Sequence, residues 1–155
     1  MLRGMSRVLL APCAALALAI ALAGCPGDPE LTCVADVDFA TCAPLYAPTW
    51  HNVYTNTIVD SCASSRACHG GTSASSGLTL VGEEAAYTRL RAYVTPGDAA
   101  CSELVERLYT SSDELLMPRG ARLPDPERCA IGQWVAAGAP GPAGLVDAGV
   151  DGAAP

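Results

Sequence analysis

The sequence predicts an all-α fold, a small bundle of short helices joined by loops and stapled by disulfides. In four separate stretches apolar residues recur at three- and four-residue spacing, and no stretch alternates with period two for long enough to make a strand. Six cysteines remain in the exported part of the chain, an even number in a domain too small to build a large core.

The first helix follows Pro48, with Thr49 as its cap and Trp50, Val53, Tyr54, Thr57 and Ile58 on one face. It stops near Cys62, where small and glycine-rich residues run from Ala63 to Gly77. The second spans Glu83 to Tyr93, with Ala86, Tyr87 and Leu90 inward and its acids at the favourable N-terminal end. Pro96-Gly97 breaks it, and Asp98 caps a third on which Cys101, Leu104, Val105 and Leu108 share a face. The last helix takes Asp125 as cap and Pro126 in its first turn. Ile131, Trp134 and Val135 form its stripe, and Gly138 ends it.

Around this domain, residues 46–139, the chain is organised for export. Arg3 and Arg7 precede an uncharged apolar run over residues 8–23, which ends Leu22-Ala23-Gly24-Cys25. A basic start, a short apolar stretch and small residues before a cleavage point describe a secretory signal over residues 1–24. The ending resembles a bacterial lipobox, which makes Cys25 the lipidated N-terminus of the mature chain. The sixteen-residue run is shorter than the ~20 residues of a spanning helix. Residues 25–45 read as a tether with a small disulfide loop, and residues 140–155 as a disordered Ala/Gly/Pro tail. The expected location is the bacterial envelope, on the outer membrane facing the periplasm.

Removing the leader leaves seven basic and sixteen acidic side chains, a net charge of −9. Such a surface argues against nucleic acid and against electrostatic docking on anionic lipid, so the lipid on Cys25 must hold the chain to the bilayer. Of the six remaining cysteines, Cys33 and Cys42 are expected to close the small loop. Cys101 and Cys129, at matched places in two helix starts, are expected to pair with each other. Cys62 and Cys68 are then left for a cofactor or for one another.

Cys68-His69-Gly70 carries the chemistry. In a Cys-x-x-Cys-His run two thiols add to the haem vinyl groups and the histidine becomes an axial iron ligand. Here the upstream thiol is Cys62, five residues from Cys68, and Ser65 holds the usual position. Ala63-Ser64-Ser65 would have to loop out for both thiols to serve. Attachment through both, attachment through Cys68 alone, and a haem-free Cys62–Cys68 bridge all remain open.

The order of features is similar to the cytochrome-c-like domains of many exported bacterial proteins. A helix carrying Trp50 leads into Cys68-His69-Gly70, and Leu78-x-Leu80 and Tyr87-x-x-Leu90 follow. Val94-Thr95-Pro96-Gly97-Asp98, Leu116-Met117-Pro118 and a closing Trp134-Val135-Ala136-Ala137-Gly138-Ala139 complete the series. The resemblance implies haem c as cofactor, with Cys68 as one thioether, Cys62 as the doubtful other, His69 as proximal ligand and Met117 as distal ligand. His51, the other histidine, is the alternative distal ligand. The function so implied is electron transfer between redox protein partners, and the competing reading is a haem-free, disulfide-stapled binding or structural lipoprotein. Zinc lacks a fourth ligand. No nucleophile elbow, phosphate loop or dinucleotide fingerprint occurs, so no enzyme is expected.

Overall fold

The computed structural model describes residues 29–72 and 74–142. Cys25, the leader before it and the tail beyond residue 142 lie outside the described residues. Four α-helices form the domain: α1 (Trp50–Val53), α2 (Glu83–Leu90), α3 (Glu103–Tyr109) and α4 (Asp125–Ala136). Short 3-10 turns stand at Ser75–Gly77 and Arg91–Tyr93, and there is no strand among the described residues. The all-α expectation holds. None of these helices is long and apolar enough to cross a membrane.

The first helix departs from expectation in its winding. Thr49 caps it as predicted, accepting from the Asn52 amide, but after Val53 the chain continues as a π-helix over Tyr54–Cys62. The closing bond runs from the Ala63 amide to the Ile58 carbonyl at 2.7 Å. Two side chains bear on this change of winding. Thr55 Oγ1 donates to the His51 carbonyl and Asn56 Nδ2 to the Asn52 carbonyl, each at 2.8 Å, and such bonds four residues back compete with the α ladder. The buried face keeps the predicted Trp50, Val53, Thr57 and Ile58.

Two expected caps act differently. Asp98 accepts from the Cys101 amide at 3.0 Å and so closes a turn ahead of α3, leaving Cys101 exposed outside the helix. Ser102, fully buried, precedes Glu103 and ties the Thr95 amide to the same turn at 2.8 Å. At α4 the N-cap is Pro124, which offers no side-chain acceptor, and Asp125 sits inside the first turn and contacts Arg128.

The core centres on aromatic rings. Trp50 lies 5.3 Å from Trp134 and 5.4 Å from Tyr87, centroid to centroid, in tilted and edge-on arrangements that favour the ring quadrupoles. The polar handles of these rings are satisfied by backbone. Trp50 Nε1 donates to the Glu83 carbonyl, Tyr87 Oη to that of Ala139, and Trp134 Nε1 to that of Pro140. The chain therefore stays docked past the end of α4, with Gly138 at φ +93° making the turn.

The disulfides correct the predicted pairing. Cys33 bonds Cys101 and Cys42 bonds Cys129, in place of Cys33–Cys42 and Cys101–Cys129. The reason lies in the segment expected to be a tether, whose residues from Cys33 on are folded across α3 and α4. The Val34 amide donates to the Ala100 carbonyl and Gln133 Nε2 to the Cys42 carbonyl, both at 2.9 Å. Phe39 is buried over Gly132, where a Cβ would come within 2.3 Å of two ring atoms. Each helix start is thus stapled to this segment, and the two bridges enclose separations of 68 and 87 residues. Cys62 and Cys68 are free.

Candidate haem site

Four residues singled out in the sequence meet at one cavity of about 240 Å³. Cys62, Cys68 and His69 line it from the π segment and the loop that follows, and Met117 from the segment after α3. Ile58, Leu78, Leu80, Leu90, Leu104 and Leu108 give it an apolar interior.

The enlarged loop is closed by its own backbone. The His69 amide donates to the Cys62 carbonyl at 3.0 Å, so the residues carrying both thiols are brought back together. The amides of Cys68 and Gly70 both donate to the Ser65 carbonyl, at 3.1 and 2.9 Å. Ala63-Ser64-Ser65 is taken up as a compact turn lying against Gly70. A Cβ on Gly70 would come within 2.1 Å of the Ala63 carbonyl oxygen and 2.8 Å of that of Ser65, so a residue with a side chain does not fit there. Ser65, in the place of the usual first cysteine, donates its hydroxyl to Cys68 Sγ at 3.4 Å.

The His69 ring is held by one hydrogen bond. Its Nδ1 lies 2.8 Å from the Leu78 carbonyl, which can only accept, so Nδ1 carries the proton and Nε2 is left with a lone pair. Metal-binding histidines are fixed by this kind of outer hydrogen bond. The two ends of the loop are joined again by the Leu80 amide donating to the His69 carbonyl at 2.8 Å. The Met117 amide donates to the Arg107 carbonyl at 2.9 Å, tying the Met117 segment to α3. Arg122 and Arg128 add hydrogen bonds to the carbonyls of Leu108 to Thr110, the negative end of α3.

His51 is excluded from this site. It is exposed, does not line the cavity, and pairs with Glu83 at 3.1 Å. Behind the cavity, Tyr46 Oη and Thr57 Oγ1 are 2.5 Å apart, and Thr57 reaches Glu127. Burial, with Cys68 and Glu127 nearby, pushes the Cys62 thiol up to about 12. Among the described residues, no three or more His, Cys, Asp or Glu side chains are gathered as a site for a bare metal ion.

A family model described as Planctomycete cytochrome C matches residues 66–119. This segment is cytochrome-c-like. The match takes in Cys68, His69 and Met117 and starts after Cys62, so the non-standard thiol lies outside it, as do α1 and α4. No curated protein and no solved structure matches the chain.

Sequence reasoning missed the Leu78 carbonyl that orients His69, and it missed Arg107, Tyr93 and Arg119 in the cavity wall. The carbonyl has no signal in sequence. Arg119 stands beside Met117-Pro118, but only the fold shows that Arg107 joins it.

Proposed function

We propose that the protein is a lipid-anchored electron carrier holding one haem c, with His69 and Met117 as axial ligands and Cys62 and Cys68 as thioether donors. The observation that carries this reading is the convergence of those four residues on one cavity, with the His69 Nδ1–H directed to the Leu78 carbonyl. The donor set suits the group. An imidazole with its Nε2 lone pair free and a soft thioether form the pair that raises the reduction potential of haem iron. The iron would supply a one-electron couple, and this chain's residues would do the rest. The leucines exclude water, His69 is held in one tautomer, and Met117 is held against α3. The cavity is smaller than the ~300–1,000 Å³ of ordinary small-molecule clefts. The electron would be exchanged with redox protein partners.

The leader and Cys25 support anchoring at the envelope, with the lipid as the only attachment. Haem staining of a denaturing gel tests the cofactor, because covalent haem survives denaturation. The wild-type chain from a strain with cytochrome maturation should stain. No stain from that strain overturns the electron-carrier reading in favour of a haem-free module. In the same cells Cys25→Ala should release the protein from the membrane fraction.

A further inference from the structure

The polar part of the cavity wall has a single sign of charge. Among the described residues no Asp or Glu lines the cavity, whereas Arg107 and Arg119 both do, in a chain whose acids outnumber its basic residues 16 to 9. Both guanidinium groups are held in place by the protein and keep donors to spare. Arg107 Nε donates to Glu103 at 2.9 Å and its Nη1 reaches the Leu115 carbonyl at 3.5 Å. Arg119 Nη2 donates to the Glu114 carbonyl at 2.8 Å. Arg107 Nη2 and the Nε and Nη1 of Arg119 make no hydrogen bond to the described residues. The Met117 amide bond to the Arg107 carbonyl ties the segment that carries Arg119 to the helix that carries Arg107, and both elements are separate from the thiol-bearing loop.

We propose that Arg107 and Arg119 form the carboxylate-binding end of this cavity and take the two propionate arms of the haem. This deepens the haem reading above and rests on it. A guanidinium is a fixed fork matched to carboxylate oxygens, and in a largely apolar recess such a contact is stronger than in water. Haem carries its vinyl groups and its carboxylates on different edges. Thiols on one segment of the lining and cations on another would therefore select one orientation of the ring. Arg107 and Arg119 act as positioning residues. They also keep the carboxylates ionised, and their positive charge near the iron favours its reduced form.

The test is a redox titration of the haem-loaded protein against pH, comparing wild type with Arg119→Gln, Arg107→Gln/Arg119→Gln, and Arg89→Gln as a charge control away from the cavity. Wild type and R89Q should have potentials nearly independent of pH between about 5 and 8, because the carboxylates stay ionised throughout. The double variant should shift the reduced-to-oxidised ratio about tenfold toward oxidised, about 59 mV for one electron. Its potential should then rise as pH falls, since carboxylates released from the arginines take up a proton on reduction. R119Q, at an exposed position, should show part of both effects, and Arg119→Lys should restore charge better than the pH profile. Haem-loaded R119Q and double variants that superimpose on R89Q would overturn the carboxylate contact and leave the haem reading standing. Absence of haem from the wild-type chain would overturn both.

Discussion

The two sides of this domain are held together by different means. On one side the segment from Cys33 to Cys42 is locked by two disulfides onto the starts of α3 and α4, with Phe39 buried against Gly132. On the other side, the loop carrying Cys68 and His69 and the segment carrying Met117 have no cross-link among the described residues. They are held by hydrogen bonds alone, among them those from the His69 amide to Cys62, from Leu80 to His69 and from Met117 to Arg107. Covalent closure is spent where the chain meets itself over long separations, and the two remaining thiols are left facing the cavity.

The largest effect should come from breaking the stapled side. A bridge closing 68 or 87 residues contributes about 4–5 kcal/mol on the chain-entropy model. Cys42→Ala/Cys129→Ala should therefore lower unfolding free energy by roughly that amount in denaturant titrations. A loss under ~1 kcal/mol would show that the bridge does not carry the stability assigned to it here.

On the cavity side the costliest small change is Gly70→Ala. The new Cβ meets backbone oxygens of Ala63 and Ser65, which cannot swing aside as a side chain would, so the turn must open. A loss of ~1–3 kcal/mol is expected, with a fall in haem content larger than the stability loss explains. Normal haem loading of this variant would separate the turn from thiol placement.

Cys62 sharpens the comparison further. Its raised pKa means that the folded, haem-free protein holds a neutral thiol well above pH 9, where an unfolded cysteine has lost its proton. Stability due to this group is present at neutral pH and is lost as pH rises from about 9 towards 12. Iodoacetamide at pH 8 should label Cys62 far more slowly in the folded, haem-free chain than after unfolding, and equal rates would contradict the raised pKa. The smallest effect belongs to His51→Ala. An exposed pair with Glu83 is worth about 0–1 kcal/mol, and the haem spectrum should be unchanged. A changed spectrum would return His51 to the iron.

What was legible in the sequence divides along the same line. Helix faces were readable because burial follows period, and Trp50, Tyr87, Leu90, Val105 and Trp134 are all in the core. Cys68-His69 and Met117 stood out because their chemistry is rare and sits in a recognisable order, and the fold brings them to one cavity. Disulfide partners were not, because pairing depends on how the Cys33–Cys42 segment crosses two helices distant in sequence. The π winding was hidden for a different reason. It keeps Trp50, Val53, Thr57 and Ile58 of the predicted face buried, with Tyr54 half-buried, and changes which carbonyls the amides reach, and Thr55 and Asn56 were its side-chain sign. The caps at Asp98 and Asp125 were misplaced because either carboxylate could serve a neighbouring turn or ion pair as well as a helix end.

The central claim is that the looped Cys62–Cys68 spacing delivers both thiols to one haem. The pyridine haemochrome of the purified wild-type protein measures it most directly, because each thioether saturates a vinyl group and moves the band to the blue. The account predicts the two-thioether position in wild type and the intermediate, one-thioether position in Cys62→Ser. An intermediate position already in wild type, unchanged by Cys62→Ser, would contradict it and leave Cys68 as the sole attachment.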